Sequence, residues 1–231
     1  MSITLEVKRV FEEVAESYGY LRRRLWAPVG VVVRGPGIYL DCGCGPGHYS
    51  LYVAERFGVW VVCLDIASRM LELAWKRTRR RGVDSLVDFV EADMSMLPFR
   101  DNAFHGAFYV ASIHHKPWWI GRLRVLREAR RVLKSGSRLL VTVWSLLQPR
   151  FLRVVFDWIT YRLRGFRVEL GDTLVPWHRR DKVLLRYYHL FTLGELRRLV
   201  RFAGFEWSIC GPLRVRAKVF PENYYCMVVR K

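Results

Sequence analysis

The sequence predicts an α/β fold around a doubly wound, seven-stranded and mostly parallel sheet. Apolar runs of strand length alternate with amphipathic segments of helix length over most of the chain, as in a parallel sheet covered by helices. The first run ends on Asp41 and the second on Asp65. Between them the chain turns on three glycines, Gly43, Gly45 and Gly47. The 231 residues, 52% of them hydrophobic, can bury one substantial core, so we expect a single domain.

The alternation assigns the elements of the first 148 residues. Residues 1–35 form an N-terminal helical addition, with an amphipathic helix over 3–17 and a short helix from Pro28, which should fold across the mouth of the sheet. The core follows at residues 36–148. Its predicted strands are 38–40, 59–64, 87–91, 104–110 and 138–144, and its predicted helices are 49–57, 68–80 and a segment with five arginines between 122 and 131.

The alternation ends after Gln148. Residues 149–191 are predicted as an insertion after the fifth strand, with a basic, aromatic helix over 149–166 and an irregular segment behind it. A helix after this insertion begins with Thr192 and Glu195, which form a capping box. The remaining predictions are a C-terminal unit at 192–231, its helix at 192–203, and two antiparallel edge strands at 205–210 and 224–229.

The glycine turn predicts a site for a small cofactor. Glycine lets the backbone approach a ligand closely, and the helix that follows offers unpaired N–H groups at its N-terminus. Asp65 follows the glycines by about twenty residues, where an open α/β sheet places a carboxylate against ribose hydroxyls. Asp65 could instead cap the next helix. Asp93 follows the third strand in the same way, so three neighbouring strand ends carry a carboxylate.

The spacing D-x-G-x-G-x-G, which starts at Asp41, resembles the first motif of the class I S-adenosylmethionine-dependent methyltransferases. This resemblance implies a Rossmann-like methyltransferase fold and S-adenosylmethionine as the cofactor. It also implies that Asp93 faces the adenine and that an apolar neighbour stacks on the ring. The cofactor-binding residues implied in this way are Asp41, Gly43, Gly45, Gly47, Asp65, Ile66, Asp93, Met94 and Ala111.

The net charge predicts a polyanionic partner. Lysine and arginine total 39 against 21 acidic residues, which leaves a formal charge of +18. Most of the basic residues are arginines, which contact phosphates through paired hydrogen bonds and stack on bases, so nucleic acid is the leading substrate class. We expect residues 76–81 and 150–167 to contact RNA. The alternative is heat adaptation in a thermophile, which the three Asn and Gln residues support, although heat adaptation usually raises both signs of charge.

The cysteines and the apolar runs suggest a cytoplasmic protein. The five cysteines are odd in number, and most lie in apolar strand contexts, so we expect buried thiols in a reducing compartment and no metal site. No apolar run approaches the roughly 18 residues that span a bilayer, and the start of the chain is unlike a signal peptide, so no membrane partner is expected. The cysteines are Cys42, Cys44, Cys63, Cys210 and Cys226.

A more specific resemblance runs through the insertion. Residues 172–178, D-T-L-V-P-W-H, and residues 186–191, R-Y-Y-H-L-F, resemble the signature of the tRNA wobble-uridine methyltransferases. The likeness extends to residues 112–115, Arg22 and Trp26. It implies a tRNA substrate in which the carboxymethyl group on C5 of the wobble uridine, position 34, is esterified. It also implies a small zinc-binding activator protein that adds a strand to its partner's sheet.

A carboxylate acceptor makes few chemical demands on the protein. With a pKa near about 4.3 it is already ionised at pH 7, so methyl transfer needs correct positioning and no general base. A guanidinium can hold a carboxylate through two hydrogen bonds, which makes Arg22 and Arg186 candidates, although either arginine could contact phosphate or solvent instead. Candidate donors to the base or ribose are His114, His115 and His189, and candidate stacking residues are Trp177, Tyr187 and Tyr188; the alternative for these side chains is packing.

Two other functions stay open. A methyltransferase acting on a small molecule such as a quinone precursor would share the cofactor motifs, but it would not need the positive charge. An RNA-binding protein that keeps the cofactor without turnover is the non-enzymatic alternative, and loss of Asp41, Asp65 or the glycines would have favoured it. The sequence departs from the wobble-uridine family at Pro46, at His48 and at residues 116–119, the last beside the expected acceptor pocket.

Overall fold

A seven-stranded sheet with helices on both faces forms the body of the protein, which confirms the predicted fold class. The computed structural model describes residues 2–21, 25–151, 153–179, 182–215 and 219–231. The strands are β1 (Ile38–Cys42), β2 (Trp60–Asp65), β3 (Val87–Glu91), β4 (Phe104–Val110), β5 (Leu133–Trp144), β6 (Asp172–Arg179), β7 (Lys182–His189), β8 (Trp207–Leu213) and β9 (Asn223–Val229). The α-helices are α1 (Ile3–Leu21), α2 (His48–Phe57), α3 (Ser68–Arg81), α4 (Trp119–Val132), α5 (Arg153–Leu163) and α6 (Leu193–Phe202).

The strand order of the large sheet is β3-β2-β1-β4-β5-β9-β8. The first five of these strands are parallel, and β9 runs antiparallel to both β5 and β8. Leu40 at the centre pairs with Val62 on one side and with Ala107 on the other. The chain reverses its winding direction between β1 and β4, and open α/β sheets bind ligands at such a point, beyond the carboxyl ends of the strands.

The two faces of the sheet bury two separate apolar layers. Leu40 packs in a cluster with Leu126 of α4 and Leu199 of α6. The next residue back, Tyr39, packs on the opposite face in a cluster with Val53 of α2. Successive strand residues point to opposite faces, so an unbroken apolar strand requires cover on both sides. Among the described residues, no helix is both long and apolar enough to cross a membrane.

The insertion differs from the prediction, because β6 and β7 pair as an antiparallel hairpin where an irregular segment was expected. In β7 the buried residues Leu184, Arg186 and Tyr188 alternate with more exposed ones. The sequence does not show this alternation clearly, because the inward-facing Arg186 is charged. Pro176 also lies within β6, and proline usually argues against a strand interior. A two-stranded hairpin tolerates it because each of its strands is an edge.

The cysteines also differ from the prediction. Cys210 on β8 and Cys226 on β9 are register partners and form a disulfide, with Cα atoms 4.1 Å apart. The expectation of thiols throughout is therefore wrong for this pair. Directly opposite residues of antiparallel strands come close enough for such a bond, but 16 residues of chain separate them, so local spacing carries no signal. Cys42, Cys44 and Cys63 are buried free thiols, as expected.

Helix α1 lies across the carboxyl edge of the sheet, as predicted. The Glu12 carboxylate accepts hydrogen bonds from the backbone N–H groups of Ser68, at 2.7 Å, and Arg69, at 3.0 Å, and so caps α3 from outside. Near the end of α1, Arg77 of α3 donates to the Gly19 carbonyl at 2.8 Å. A Cβ at Gly19 would lie 2.9 Å from that guanidinium, so α1 and α3 approach closely here.

Candidate cofactor and acceptor site

A cavity of about 430 Å³ opens beyond the carboxyl ends of β1, β2 and β4, at the point where the winding reverses. The glycine turn and Asp65 form its floor. Phe11 and Tyr18 of α1 form one wall. Trp144, at the end of β5, lies on the opposite side. The cavity therefore extends from the predicted cofactor residues toward β5 and the start of β9.

Glycine occurs at the three positions of the turn for different structural reasons. All have positive φ, 74° at Gly43, 53° at Gly45 and 75° at Gly47. A Cβ at Gly43 would lie 2.4 Å from that of Ser112, and a Cβ at Gly47 would lie 2.8 Å from that of Ala74, so packing excludes a side chain at both positions. At Gly45 no protein atom lies within 4 Å of the Cβ position. The space in front of Gly45 is left for a ligand.

The Asp65 side chain links the glycine turn to the start of α3. One carboxylate oxygen accepts from the backbone N–H of Ala67 at 3.0 Å, near the start of α3, and the other accepts from Gly45 N–H at 2.8 Å. The side chain also lines the cavity. Burial raises the pKa of Asp65 to about 6, against the opposing effect of the backbone hydrogen bonds.

Asp41 lies deeper than Asp65. Its carboxylate is buried and accepts a hydrogen bond from the Ser50 hydroxyl at 2.5 Å. Burial raises the pKa of Asp41 to about 7; the Ser50 hydrogen bond opposes this and the nearby Asp65 charge adds to it. Two carboxylates of high pKa beneath one glycine turn favour a positively charged ligand above them.

Asp93, the predicted adenine contact, has a partner that the sequence did not suggest. Lys116 donates to both of its carboxylate oxygens, at 2.7 and 2.5 Å. Burial works to raise the pKa of Asp93, but the hydrogen bonds from Lys116 and Ser95 and the Lys116 charge together outweigh it, so the net pKa is lowered. Asp93 faces a second cavity that adjoins the first at Ile66 and Ala92, whereas Met94 lines the first. An adenine at this end would lie where the two cavities meet.

His115 and Trp144 line the opposite end of the cavity. The His115 Nδ1–H donates to the Tyr187 carbonyl oxygen at 2.9 Å, which orients the ring. Tyr188 stacks on Trp144 with ring centroids 4.5 Å apart, and it contacts His115 edge to face at 4.4 Å. His114 is buried behind these rings and 4.8 Å from Tyr188, so it packs against the acceptor wall without lining the cavity.

Arg186 carries a buried charge one layer behind this wall. Its side chain is 4% exposed, and Nη1 donates to the Tyr188 hydroxyl at 3.0 Å. The guanidinium lies over the rings of Trp177, at 4.6 Å, and Tyr188, at 5.3 Å. Within the described residues it makes no ion pair with any carboxylate. Buried charges are normally paired, so this site is complementary to an anion.

His189 lies outside the cavity, and both of its ring nitrogens are engaged. Nδ1 is 2.8 Å from Asp172 and Nε2 is 2.7 Å from Glu195. The Tyr187 hydroxyl donates to the same Asp172 carboxylate at 2.6 Å. Neither His189 nor Tyr187 lines the cavity, and hydrogen bonds hold both side chains in this network, so the structure does not bring them to the predicted substrate position.

The same network anchors the hairpin to the body of the protein. The buried Arg122 of α4 donates to Glu169 at 2.6 Å and lies 3.5 Å from Glu195. These groups could also be taken for a metal site, since ligand atoms of Glu169, Asp172 and His189 all lie within 4.8 Å. Arg122 and Tyr187 already occupy the carboxylate oxygens there.

The remaining candidate residues for the acceptor site do not lie together. Trp177 donates from its indole N–H to the Ser17 hydroxyl at 3.1 Å and packs 5.6 Å from Tyr18, so it faces α1. The predicted Arg22 lies outside the described residues. Arg150 was predicted only as part of the basic stretch 150–167, and its guanidinium lies 4.7 Å over the Trp144 ring at the cavity mouth.

Several known proteins that resemble this chain are methyltransferases. A family model described as a methyltransferase domain matches residues 40–141. The ubiquinone/menaquinone biosynthesis C-methyltransferase UbiE of Bartonella quintana (strain Toulouse) is 32% identical over 187 residues, which cover 72% of this chain and 70% of the relative. The chain belongs to the class I S-adenosylmethionine-dependent methyltransferases.

A second relative of this methyltransferase is named probable tRNA methyltransferase 9B, from Homo sapiens. It is 31% identical over 176 residues, which cover 75% of this chain but 33% of the relative. The chain spans between 33% and 63% of the length of four of the curated relatives that it matches. A solved complex of the Haloferax volcanii Trm112 methyltransferase activator contains a methyltransferase with the same fold, at a TM-score of 0.69 and 16% identity over 97% of both chains.

The cavity of this methyltransferase fits S-adenosylmethionine, the methyl donor of its class. Gly45 leaves the space that a ligand would fill, and Asp65 lines the same cavity. Ile66, Met94 and Ala111 supply apolar surface around the same space. The residues predicted to hold the cofactor therefore lie around one cavity, with two exceptions: Gly47 packs against Ala74, and Asp93 lines the adjoining cavity.

Proposed function

We propose that this methyltransferase acts on tRNA and esterifies the carboxymethyl group on C5 of the wobble uridine, position 34. The observation that carries the proposal is the buried Arg186 guanidinium, which has no carboxylate partner among the described residues and lies behind the acceptor wall. The formal charge of +18 supports a polyanionic substrate. The similarity to a protein named a tRNA methyltransferase supports the same class of substrate.

The chemistry suits a site with no general base. When bound, S-adenosylmethionine supplies an electrophilic methyl group on a positively charged sulfur. A carboxylate oxygen of the acceptor would attack that methyl carbon, and the carbon–sulfur bond would break with its electron pair going to sulfur. No proton moves, since the carboxylate is ionised at neutral pH. The residues of this chain therefore contribute by binding and orientation.

Each wall of the cavity has a part in that orientation. Arg186, which lies one layer behind the wall, would hold the carboxylate of an acceptor that reaches past the Tyr188 ring, through charge-assisted hydrogen bonds that are about twice as strong as neutral ones. Its aromatic neighbours Trp177 and Tyr188 keep water from the guanidinium and so strengthen the attraction. His115, fixed by its bond to the Tyr187 carbonyl, borders the reacting end.

The experiment compares two tRNAs with two forms of the protein. Wild type should methylate tRNA that carries 5-carboxymethyluridine at position 34 and should leave the unmodified transcript untouched, because the latter has no ionised nucleophile. Arg186→Ala should lose turnover, by about 2 to 4 kcal/mol of transition-state stabilisation, and keep its affinity for S-adenosylmethionine. Mass spectrometry of the digested tRNA locates the methyl group. A methyl group on a ring atom or a ribose would overturn the proposal.

A quinone-like small molecule is the second candidate acceptor. The observation in its favour is the 32% identity to a protein named a ubiquinone/menaquinone C-methyltransferase. Such an acceptor has no carboxylate for Arg186 and no phosphates for the basic surface. Methylation of a quinol carbon that persists in Arg186→Ala would favour this candidate over tRNA.

We also propose an activator protein as a partner, as the family resemblance implies. Two strands, β3 and β8, each pair on one side only within the described part of the chain. An unpaired strand edge offers a row of backbone donors and acceptors to which another chain can add a strand. If the purified chain is monodisperse and fully active on modified tRNA, the activator is dispensable.

A further inference from the structure

Asn223 is a buried polar residue in the cavity wall. It begins β9 and lies opposite Trp144 of β5 in the strand register. The residue is 6% exposed and lines the cavity. Its side-chain amide makes no hydrogen bond with any described residue. The nearby Gln148, which is equally buried, donates to the Glu222 carbonyl at 2.6 Å and accepts from Arg150 at 2.9 Å.

An unpaired buried amide calls for a ligand. Water can reach the amide in the open cavity, but a ligand that displaces this water must replace its hydrogen bonds or leave the amide unsatisfied at a cost of about 1–3 kcal/mol. The polar atoms of the amide are not sealed from solvent, which agrees with its position in the cavity wall. The cavity is the place from which a partner can reach it.

The position of Asn223 in the sheet separates it from the cofactor. Four strand spacings divide β2, which ends on Asp65, from β9 in the order β2-β1-β4-β5-β9. Neighbouring strands lie about 4.8 Å apart, so Asn223 is displaced sideways from Asp65 by about 19 Å. The cofactor residues occupy the ends of β2, β1 and β4. Asn223 is therefore on the acceptor side.

The surroundings of Asn223 suit a flat, polar ring. Trp144, its register partner, contributes an aromatic face to the cavity, with Arg150 over that ring. A side-chain amide offers one donor and one acceptor side by side. The edge of uracil formed by N3–H and an adjacent ring carbonyl presents the complementary acceptor and donor.

We propose that Asn223 is a specificity-determining residue that pairs with N3–H and a neighbouring carbonyl of the acceptor uridine. The inference rests on the proposed function and explains how the same site selects the base. Arg186 would hold the carboxylate and Asn223 the ring, so that the two contacts orient the reacting oxygen. A quinone-like acceptor lacks the paired donor and acceptor edge that this amide matches.

The test uses two anticodon stem-loop RNAs, one with 5-carboxymethyluridine and one with its N3-methyl derivative. Wild type should show a kcat/KM about 10- to 100-fold lower on the N3-methyl RNA, because the Asn223 acceptor is then left unpaired. Asn223→Ala should lose a similar factor on the first RNA and treat the two RNAs nearly alike. Loss of discrimination, rather than loss of activity, identifies the contact.

Two controls keep the result interpretable. Affinity for S-adenosylmethionine should stay within about twofold of wild type in the variant, since Asn223 is far from Asp65; if it does not, the near-isosteric Asn223→Leu replaces it. Ser137→Ala, at the other end of β5, should leave the discrimination unchanged. Equal discrimination in wild type and the Asn223 variants, or none in wild type, would overturn the inference. No turnover of the first RNA by wild type would overturn the proposed function instead.

Discussion

Asp41 and Asp65 make the affinity for a cationic cofactor depend on pH. Burial raises the pKa of Asp41 to about 7 and that of Asp65 to about 6, so both carboxyls are increasingly protonated as pH falls toward 5. A positively charged ligand favours their ionised forms, and its binding must then release protons. We expect affinity for S-adenosylmethionine to rise from pH 5 to pH 7.5 and to level off above that. Calorimetry in buffers of different ionisation enthalpy measures both the affinity and the proton release.

The Asp41→Asn variant distinguishes the titration of Asp41 from general destabilisation of the protein by acid. A carboxyl whose pKa is raised by folding contributes stability below its unfolded pKa and loses it as pH rises through the folded value. The unliganded wild type should therefore lose stability between about pH 4 and pH 7. Asp41→Asn removes that loss, so its thermal midpoint should exceed that of wild type at pH 8. A wild-type affinity that is flat from pH 5 to pH 7.5 would contradict the assignment.

Arg77 is a residue whose importance the sequence hid within a basic run. It donates to the Pro46 carbonyl at 2.7 Å, within the glycine turn, as well as to Gly19 on α1. Arg77→Met should weaken binding of S-adenosylmethionine by about 1 to 2 kcal/mol, because the turn loses a charged donor. Titration of the cofactor against Arg77→Met, with Arg80→Met as an exposed control in the same run, tests this. Equal affinities of the two variants for S-adenosylmethionine would show that the glycine turn keeps its conformation without Arg77.

The β6–β7 hairpin depends on a histidine between two carboxylates. Burial works to lower the pKa of His189, but hydrogen bonds to Asp172 and Glu195 outweigh it, so the net pKa is raised; Glu169 and the opposing charge of Arg122 also face the ring. The stabilising effect is fully present below the ordinary histidine pKa of about 6.5 and is lost as pH rises through the folded value. Amide exchange in the hairpin should therefore quicken at high pH beyond its intrinsic increase, and His189→Gln should abolish this excess.

The same elements show what the sequence could and could not predict. Strands β1 to β4 were predicted to within about two residues at each end, and β1 and β2 were the clearest because a strand buried on both faces leaves a continuous apolar run. The hairpin was missed because Arg186 breaks the run on its inward face and Pro176 resembles a strand breaker. In the site, Asp41, Asp65 and the glycines follow from local spacing. The partners Lys116 for Asp93 and Arg122 for Glu195 are long-range contacts that no local pattern encodes.

At the scale of the whole molecule, the excess positive charge should govern binding to tRNA. The last turn of α3 carries exposed Arg79, Arg80 and Arg81 on one face of the sheet. Each phosphate neutralised should add about 0.9 to the slope of log affinity against log salt, so affinity must fall steeply between 50 and 200 mM salt. Alanine at these three positions should reduce the slope by about two to three.

The matched control for this experiment lies on α6, against the opposite face of the sheet. It replaces Arg197, Arg198 and Arg201 by alanine, which removes the same charge from the other side of the molecule. Filter binding at several salt concentrations gives both slopes. If both triple variants reduce the slope equally, tRNA responds to net charge and no particular face is its binding surface.

Helix α1 touches three separate parts of the cofactor site. Lys8 pairs with Glu91 at the end of β3, Glu12 caps α3, and Gly19 receives the same guanidinium that holds the glycine turn. The helix also supplies Phe11 and Tyr18 to the cavity wall. A displacement of α1 therefore widens the cavity and frees one end of the Arg77 bridge at once. We therefore expect the departure of the spent donor and the loosening of the turn that bound it to be coupled through the movement of a single helix.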